Sequence, residues 1–321
     1  MKKLLILLLL SVVLLGCSQS KSDGINVVTS VYPAYDFALK ISGEDANVTN
    51  IVPTGADAHS FEPTPQDIAK IQEADIFVYH GSGLESWVDS VLKNIDTNKV
   101  KVVNLSAVSN LIEADDHTHE HDHDHEHDHD DHEESHDGHD HGQFDVHTWL
   151  SIDNVRLQMS AIKDALVSVD TANKDNYVRR FEENDVKLGV LQTEFNELKE
   201  LGDHLDLLVD HKAYGYLAHE YGLHQISIIR GSLSEEPTAA ELNESIEFII
   251  DNKIESIFVS PSSSLKVYDI IKAETGVNVY PLNTFESLTK AEIDEGKDYF
   301  SVMKDNLKSL KEGLSHEGHD H

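Results

Sequence analysis

A chain of 321 residues with 39% hydrophobic content is long enough for about two domains with a sizeable core. Its 59 Asp and Glu against 25 Lys and Arg give a formal net charge of −34, with 21 His counted as neutral. That balance excludes the clustered positive charge on which nucleic-acid binding depends. The excess has a local source, because residues 113–142 hold 14 Asp/Glu and 11 His and no Lys or Arg.

At the N-terminus, Lys2 and Lys3 precede an apolar run from Leu4 to Leu15 that closes on Gly16 and Cys17. The run is too short to cross ~30 Å of hydrocarbon as a helix but suits a signal-peptide core; a short retained anchor is the alternative. The LLGC ending resembles a bacterial lipobox, which implies cleavage before Cys17 and attachment of lipid there. Residues 1–16 are thus expected to be a signal peptide and 17–24 a lipid-anchored tether. Since Cys17 is the only cysteine, no intramolecular disulfide can form and stability must come from the core.

From residue 25 onwards short apolar runs alternate with helical stretches. Strands are expected at Ile25 to Ser30, Val48 to Val52, Ile76 to Tyr79 and Val100 to Val103. Helices are expected around Phe37, at Pro65 to Gln72 and at Leu84 to Asn94. The second half repeats the pattern, with strands at Leu205 to Val209, Gln225 to Ile228, Ser256 to Val259 and Val277 to Tyr280. Its helices are Tyr214 to Tyr221, Ala239 to Asn252 and Val267 to Thr275. Such spacing predicts an α/β protein of two Rossmann-like lobes, each a parallel sheet with helices on both faces. The lobes are assigned to 25–168 and 201–310, with a tail at 311–321 that ends in HEGHDH.

Between the lobes, Thr171 to Glu200 contains no Pro and only Gly189, and its apolar residues keep helical spacing. Asp170 suits an N-cap and Leu201-Gly202 a stop. Residues 169–200 are expected to form one rigid linker helix, which over 30 residues would reach about 45 Å. Coiled-coil dimerisation is the alternative, but the heptads are too few to favour it, and a monomer is expected.

The run at 113–142 lacks large apolar residues and its like charges repel, so it is expected to be a disordered insertion. Its histidines (His117, His119, His121, His123, His125, His127, His129, His132, His136, His139 and His141) alternate with carboxylates. They would form many interchangeable weak ligand sets for borderline metals. A solvated acidic loop is the bland alternative, but Asp and Glu alone would serve that purpose.

Seven His lie outside the run and the tail. Three of them, His59, His147 and His211, sit where an expected strand gives way to loop or helix, the place where open α/β sheets bind ligands. His80 follows a buried strand near Gly81 and Gly83 and is a candidate cleft residue. His204, His219 and His224 read as structural or exposed, with Glu220 on a solvated face. Asp145, two residues before His147, would face the same side in extended backbone, there to orient the imidazole or to cap the following turn. Glu85 and Trp87 read as bracing residues, and Tyr214 and Tyr216 as helix packing or cleft lining.

The segments TSVYPAYDF, GADAHSFEPTPQDI, ADIFVYHGSGLESW, VHTWLS, HKAYGYLAHEYGL and YPLNTFESLT occur in order from about Val27 to Leu310. In that order and spacing the chain resembles the zinc-binding solute-binding lipoproteins of metal ABC importers (cluster A-I). The resemblance implies two lobes joined by a long helix, with the metal in the cleft between them. It implies His59, His147, His211 and Glu286 as ligands, and Zn(II) as the cargo. Manganese-type relatives generally carry a carboxylate at the third position, and His211 stands there in this chain. The implied partners are an ABC permease and, through it, a cytoplasmic ATPase. The implied location is the outer side of the membrane, held by lipidated Cys17. Val146, where a proline is common, and Ser260-Pro261, where Glu-Pro is common, depart from the pattern without removing a ligand. A manganese carrier, a surface metal buffer or adhesin, and a zinc hydrolase are the competing readings. GxSxG is absent, and HExxH strings occur only at 119–123, 125–129 and 132–136 within the low-complexity run, where no helix is expected to present them, so the chain is expected not to be an enzyme.

Overall fold

The computed structural model describes residues 24–114, 143–202, 205–228, 237–263 and 265–315. Cys17, the eleven histidines of the central run, His204 and the three terminal histidines lie outside them.

The first lobe runs β1 (Ile25–Thr29), α1 (Tyr32–Ser42), β2 (Ala46–Asn50), α2 (Pro65–Glu73), β3 (Ile76–Tyr79), α3 (Val88–Leu92) and β4 (Lys101–Asn104). Two helices follow, α4 (Ile152–Val169) and α5 (Lys174–Phe195). The second lobe runs β5 (Leu205–Val209), α6 (Gly215–Tyr221), β6 (Leu223–Ser227), α7 (Ala239–Asp251), β7 (Ser256–Val259), α8 (Leu265–Thr275), β8 (Asn278–Pro281), α9 (Lys290–Asp294) and α10 (Tyr299–Leu314).

Both sheets are parallel and share one order, β2-β1-β3-β4 and β6-β5-β7-β8. Parallel strands buried on both faces need near-continuous apolar runs, and the buried Val27 and Val28 or Ile257 and Phe258 supply them. In each sheet the order reverses beside the first strand, which opens a crevice at the strands' carboxyl ends.

A single core joins the lobes. Phe37 and Ile41 of α1, Ile162 and Leu166 of α4, Leu188 and Leu191 of α5, Leu207 and Phe258 of the second sheet and Leu310 of α10 belong to one apolar cluster. Smaller clusters cover the outer face of each sheet. A charged tie adds to this continuity: Lys40 of α1 lies 3.0 Å from Asp36 and 2.8 Å from Asp298, the N-cap of α10. Burial pushes the Asp36 carboxyl up to about 6, although Lys40 pulls it the other way.

The connector runs helically from Thr171 to Glu200, as the sequence predicts. Its α-helical part is α5, about 33 Å long, flanked by 3-10 turns at Thr171–Asn173 and Asn196–Glu200. At the first end Asp170 accepts bonds from the Asn173 amide and the Tyr177 hydroxyl, which tightens the entry. At the other end Gly202, at φ 159°, lets the chain leave in extended form. Arg180 anchors α5 to the first lobe through the Ser42 carbonyl and Asp45.

Helix α3 is shorter than expected. Glu85 folds back to accept the His80 and Gly81 amides and the Ser30 hydroxyl, so residues 84–87 cap a turn rather than start the helix. Helices α4 and α10 were unassigned in the sequence. Buried Asn154, Gln158, Asn306 and Ser309 interrupt their apolar faces and hide the period. Among the described residues, no helix is long and apolar enough to cross a membrane.

Phe195 of α5 is fully buried where the lobes meet, whereas Val186 is 69% exposed. Phe195→Ala should lower unfolding free energy by about 3–5 kcal/mol, and Val186→Ala should change it by less than about 0.5 kcal/mol. Urea denaturation followed by circular dichroism would measure both.

Candidate metal centre

His59, His211 and Glu286 lie in loops after β2, β5 and β8. Contrary to the sequence expectation, His147 directly follows no strand among the described residues and precedes a 3-10 turn beyond the Glu113–Phe144 bridge. Each of the four is fixed by its neighbours. His59 lies in the loop after β2. There Asp57 accepts the His59 amide at 2.9 Å and the Ser60 hydroxyl at 2.8 Å, closing a local turn. His147 precedes a 3-10 turn at Thr148–Leu150, whose Trp149 is fully buried. The Trp149 indole donates to the Thr284 carbonyl of the second lobe at 2.7 Å.

His211 directly follows the end of β5. Its neighbour Asp210 is buried and accepts the Ser260 amide at 2.9 Å and the Ser263 hydroxyl at 2.5 Å. Glu286 follows β8. Asn283 and Asn306 pair through two 2.8 Å bonds, and Asn283 also accepts the Phe285 amide at 2.8 Å. Phe285 adopts φ 60°, a left-handed conformation that costs a non-glycine residue about 1–2 kcal/mol. Its ring is held at 5.3 Å from Tyr32 and 5.4 Å from Tyr299, both edge-on. The packing of that ring offsets the strain and aims Glu286 into the cleft.

The donor atoms of His59, His147, His211 and Glu286 all lie within 4.8 Å of one another. Glu286 Oε1 is 2.8 Å from His147 Nε2 and 3.6 Å from both His59 Nε2 and His211 Nε2. The Nε2 atoms of His147 and His211 are 3.3 Å apart. Tetrahedral ligation at Zn–N distances of about 2.05 Å places donors about 3.3 Å from each other. Four of the six donor separations, 2.8 to 3.6 Å, thus bracket the edge of such a tetrahedron, and all six lie within 4.8 Å.

The electrostatics favour a cation at its centre. Burial opposes charge on His147, but Asp145 and Glu286 outweigh burial and push the imidazole up to about 10. Burial likewise opposes ionisation of Glu286, and the three imidazoles beside it hold its carboxyl well below the usual range. Asp145 fills both roles that the sequence left open. Its Oδ1 lies 2.8 Å from the His147 amide and 2.8 Å from Nδ1, so it closes the turn and directs Nε2 inward.

The remaining candidates fall outside the cluster. His80 is fully buried, 3.3 Å from the Thr148 hydroxyl and edge-on to Trp149 at 4.8 Å. Burial pushes its imidazole down to about 3, so it supports the His147 turn as a neutral group. His219 is exposed, and His224 pairs with Asp206 on the surface. Glu220 is half-buried rather than fully solvated as its sequence context suggested: it accepts the Ser151 hydroxyl of the other lobe. Its place four residues after Tyr216, on the same helix face, is the signal that could have revealed this. Trp149 was visible only as part of a motif, because nothing in a sequence shows where an indole N–H ends.

A family profile described as zinc-uptake complex component A, periplasmic, matches residues 27–313. The chain is 34% identical over 322 residues to the zinc-binding lipoprotein AdcA of Streptococcus pneumoniae, covering 99% of this chain but 62% of that protein. It thus spans less than two thirds of that relative. It is 36% identical over 299 residues to the high-affinity zinc uptake system protein ZnuA of Bacillus subtilis, covering 93% and 90% of the two chains. Among solved structures, Zn(II)-bound AdcA of Streptococcus pneumoniae superposes with a TM-score of 0.78 at 31% identity, over 92% of this chain and 59% of that one. The metal-dependent lipoprotein YcdH of Bacillus subtilis superposes with a TM-score of 0.75 at 32% identity, over 91% and 99%.

Because His147 is protonated below about 10, a cation that takes its Nε2 lone pair at neutral pH must expel that proton. Zn(II) binding should release about one proton and weaken as pH falls; calorimetry in buffers of different ionisation enthalpy would count it. Asp145→Asn should weaken binding about 10- to 100-fold, read by competition with a chelator of known affinity.

Proposed function

The chain belongs to the family of the periplasmic zinc-uptake complex component A, and on that premise we propose that it captures Zn(II) outside the cytoplasm and delivers it to an ABC permease. The tetrahedral cluster of three imidazoles and one carboxylate carries this reading. Imidazole nitrogen suits Zn(II), whereas Mn(II) favours oxygen-rich sites. Four protein donors leave no open position for the activated water that a zinc hydrolase requires, so the geometry supports capture rather than catalysis.

The remaining parts fit the same role. Residues 1–16 would direct export and lipidated Cys17 would tether a monomer to the membrane. Residues 25–168 and 201–310 would form the two lobes, with 169–200 between them. The histidines of 113–142 would act as weak auxiliary ligands that raise the local zinc concentration, and the 311–321 tail as a small second set. The cytoplasmic ATPase would be reached only through the permease.

Titration of the mature chain should show one tight Zn(II) site and several weaker ones. His59→Ala together with His211→Ala should weaken the tight site about 100-fold or more and leave the weak ones intact. Deleting residues 115–142 should do the reverse. Tight binding that vanishes with the deletion would establish a surface buffer instead. In a strain lacking its own zinc carrier, the unaltered chain should restore growth under chelation and the double variant should not.

A further inference from the structure

Helix α6 starts four residues after His211 and doubles back onto the segment that carries His147. Its Tyr216 hydroxyl accepts the Ile112 amide at 3.3 Å and donates to the Asp145 carbonyl at 2.9 Å. Those two residues are themselves paired, the Asp145 amide donating to the Ile112 carbonyl at 3.1 Å. Next to them, Glu113 and Phe144 form an antiparallel bridge. One turn further along α6, Glu220 accepts the hydroxyl of Ser151, the residue that caps α4.

Positions 145 and 151 bracket His147, and one face of α6 grips both. At residue 215 a side chain would collide with the Asp145 carboxylate, so only glycine lets the helix approach this closely. The same carboxylate meets both the amide and the ring of His147. A short chain of contacts therefore runs from the second lobe to an imidazole of the first.

We propose that Tyr216 and Glu220 are positioning residues that latch the His147 segment to the second lobe and set the rate at which bound metal leaves. The proposal rests on the reading of the cleft as a metal carrier. For the ion to depart, His147 must separate from His211 and Glu286, and that separation breaks the bonds of Tyr216 and Glu220 as well. Neither residue touches the donor atoms, so their loss acts on release without removing a ligand.

The test is stopped-flow transfer of Zn(II) from the loaded mature chain to an excess of chelator. Tyr216→Phe and Glu220→Ala should each speed release about three- to tenfold, and the double variant more than either. Glu220→Gln, whose amide oxygen still accepts from Ser151, should recover part of the loss. The visible spectrum of the Co(II)-loaded variants should keep its tetrahedral bands. Ser245→Ala, which removes a buried hydroxyl bonded to the Ile228 carbonyl within the second lobe, should lower the melting temperature and leave release unchanged. Release within twofold of the unaltered chain in both single variants, or equal acceleration by Ser245→Ala, would overturn the latch. If the unaltered chain takes up no Zn(II), the carrier reading itself fails and the latch falls with it.

Discussion

Three imidazole nitrogens cluster around one carboxylate oxygen, at 2.8 to 3.6 Å. In water such a cluster would disperse, because its groups hydrate well separately and ordering each one costs entropy. Its persistence depends on the scaffold, and each donor is held by a different device. Asp57 closes a turn under His59, Asp145 grips His147, buried Asp210 secures the backbone at His211, and the packed ring of Phe285 stores a left-handed twist beside Glu286. The carboxylate of Glu286 is the common point at which all four devices must agree.

The devices belong to two lobes, so their agreement requires that the lobes keep a fixed relation. The apolar cluster shared by α1, α4, α5, α10 and both sheets supplies most of that constraint. Polar ties close to the ligands refine it: Trp149 to the Thr284 carbonyl, and the Gly55 amide to the Ser287 hydroxyl at 2.7 Å. The second of these joins the loop of His59 to the loop of Glu286. Apolar packing thus sets the lobes roughly, and directional bonds set the last ångström. Burial contributes free energy without direction, whereas hydrogen bonds contribute less but specify geometry.

How much of this was legible in the sequence follows from the range of each interaction. Strands β3, β5 and β7 emerged at their full extent because an apolar run is a local property. The four side chains that the structure brings together were also visible, His59 and His211 partly from their place after strands, and His147 and Glu286 from motif resemblance, since His147 directly follows no strand among the described residues. The bounds of the connector were legible too, with Asp170 capping its first turn and Gly202 lying beyond its end, and only the winding of its two ends as 3-10 turns was not. Helices α4 and α10 escaped because buried Gln158 and Asn306 bond to distant partners and so read as solvent-facing. Glu220 was misplaced for the same reason. Its charge suggested water, and only the folded chain brings Ser151 beside it.

The antiparallel bridge between Glu113 and Phe144 has a consequence for how this protein can vary. It sets Glu113 and Phe144, which flank residues 115–142 in the chain, side by side before the fold resumes at Asp145. The entropy of closing such an excursion grows only with the logarithm of its length, and doubling it costs about 0.6 kcal/mol. Histidine–acidic units could therefore be gained or lost there, as slippage in repetitive coding sequence would do, with little penalty to stability. Under the proposed role of that run, its capacity for metal would be adjustable separately from the affinity of the cleft.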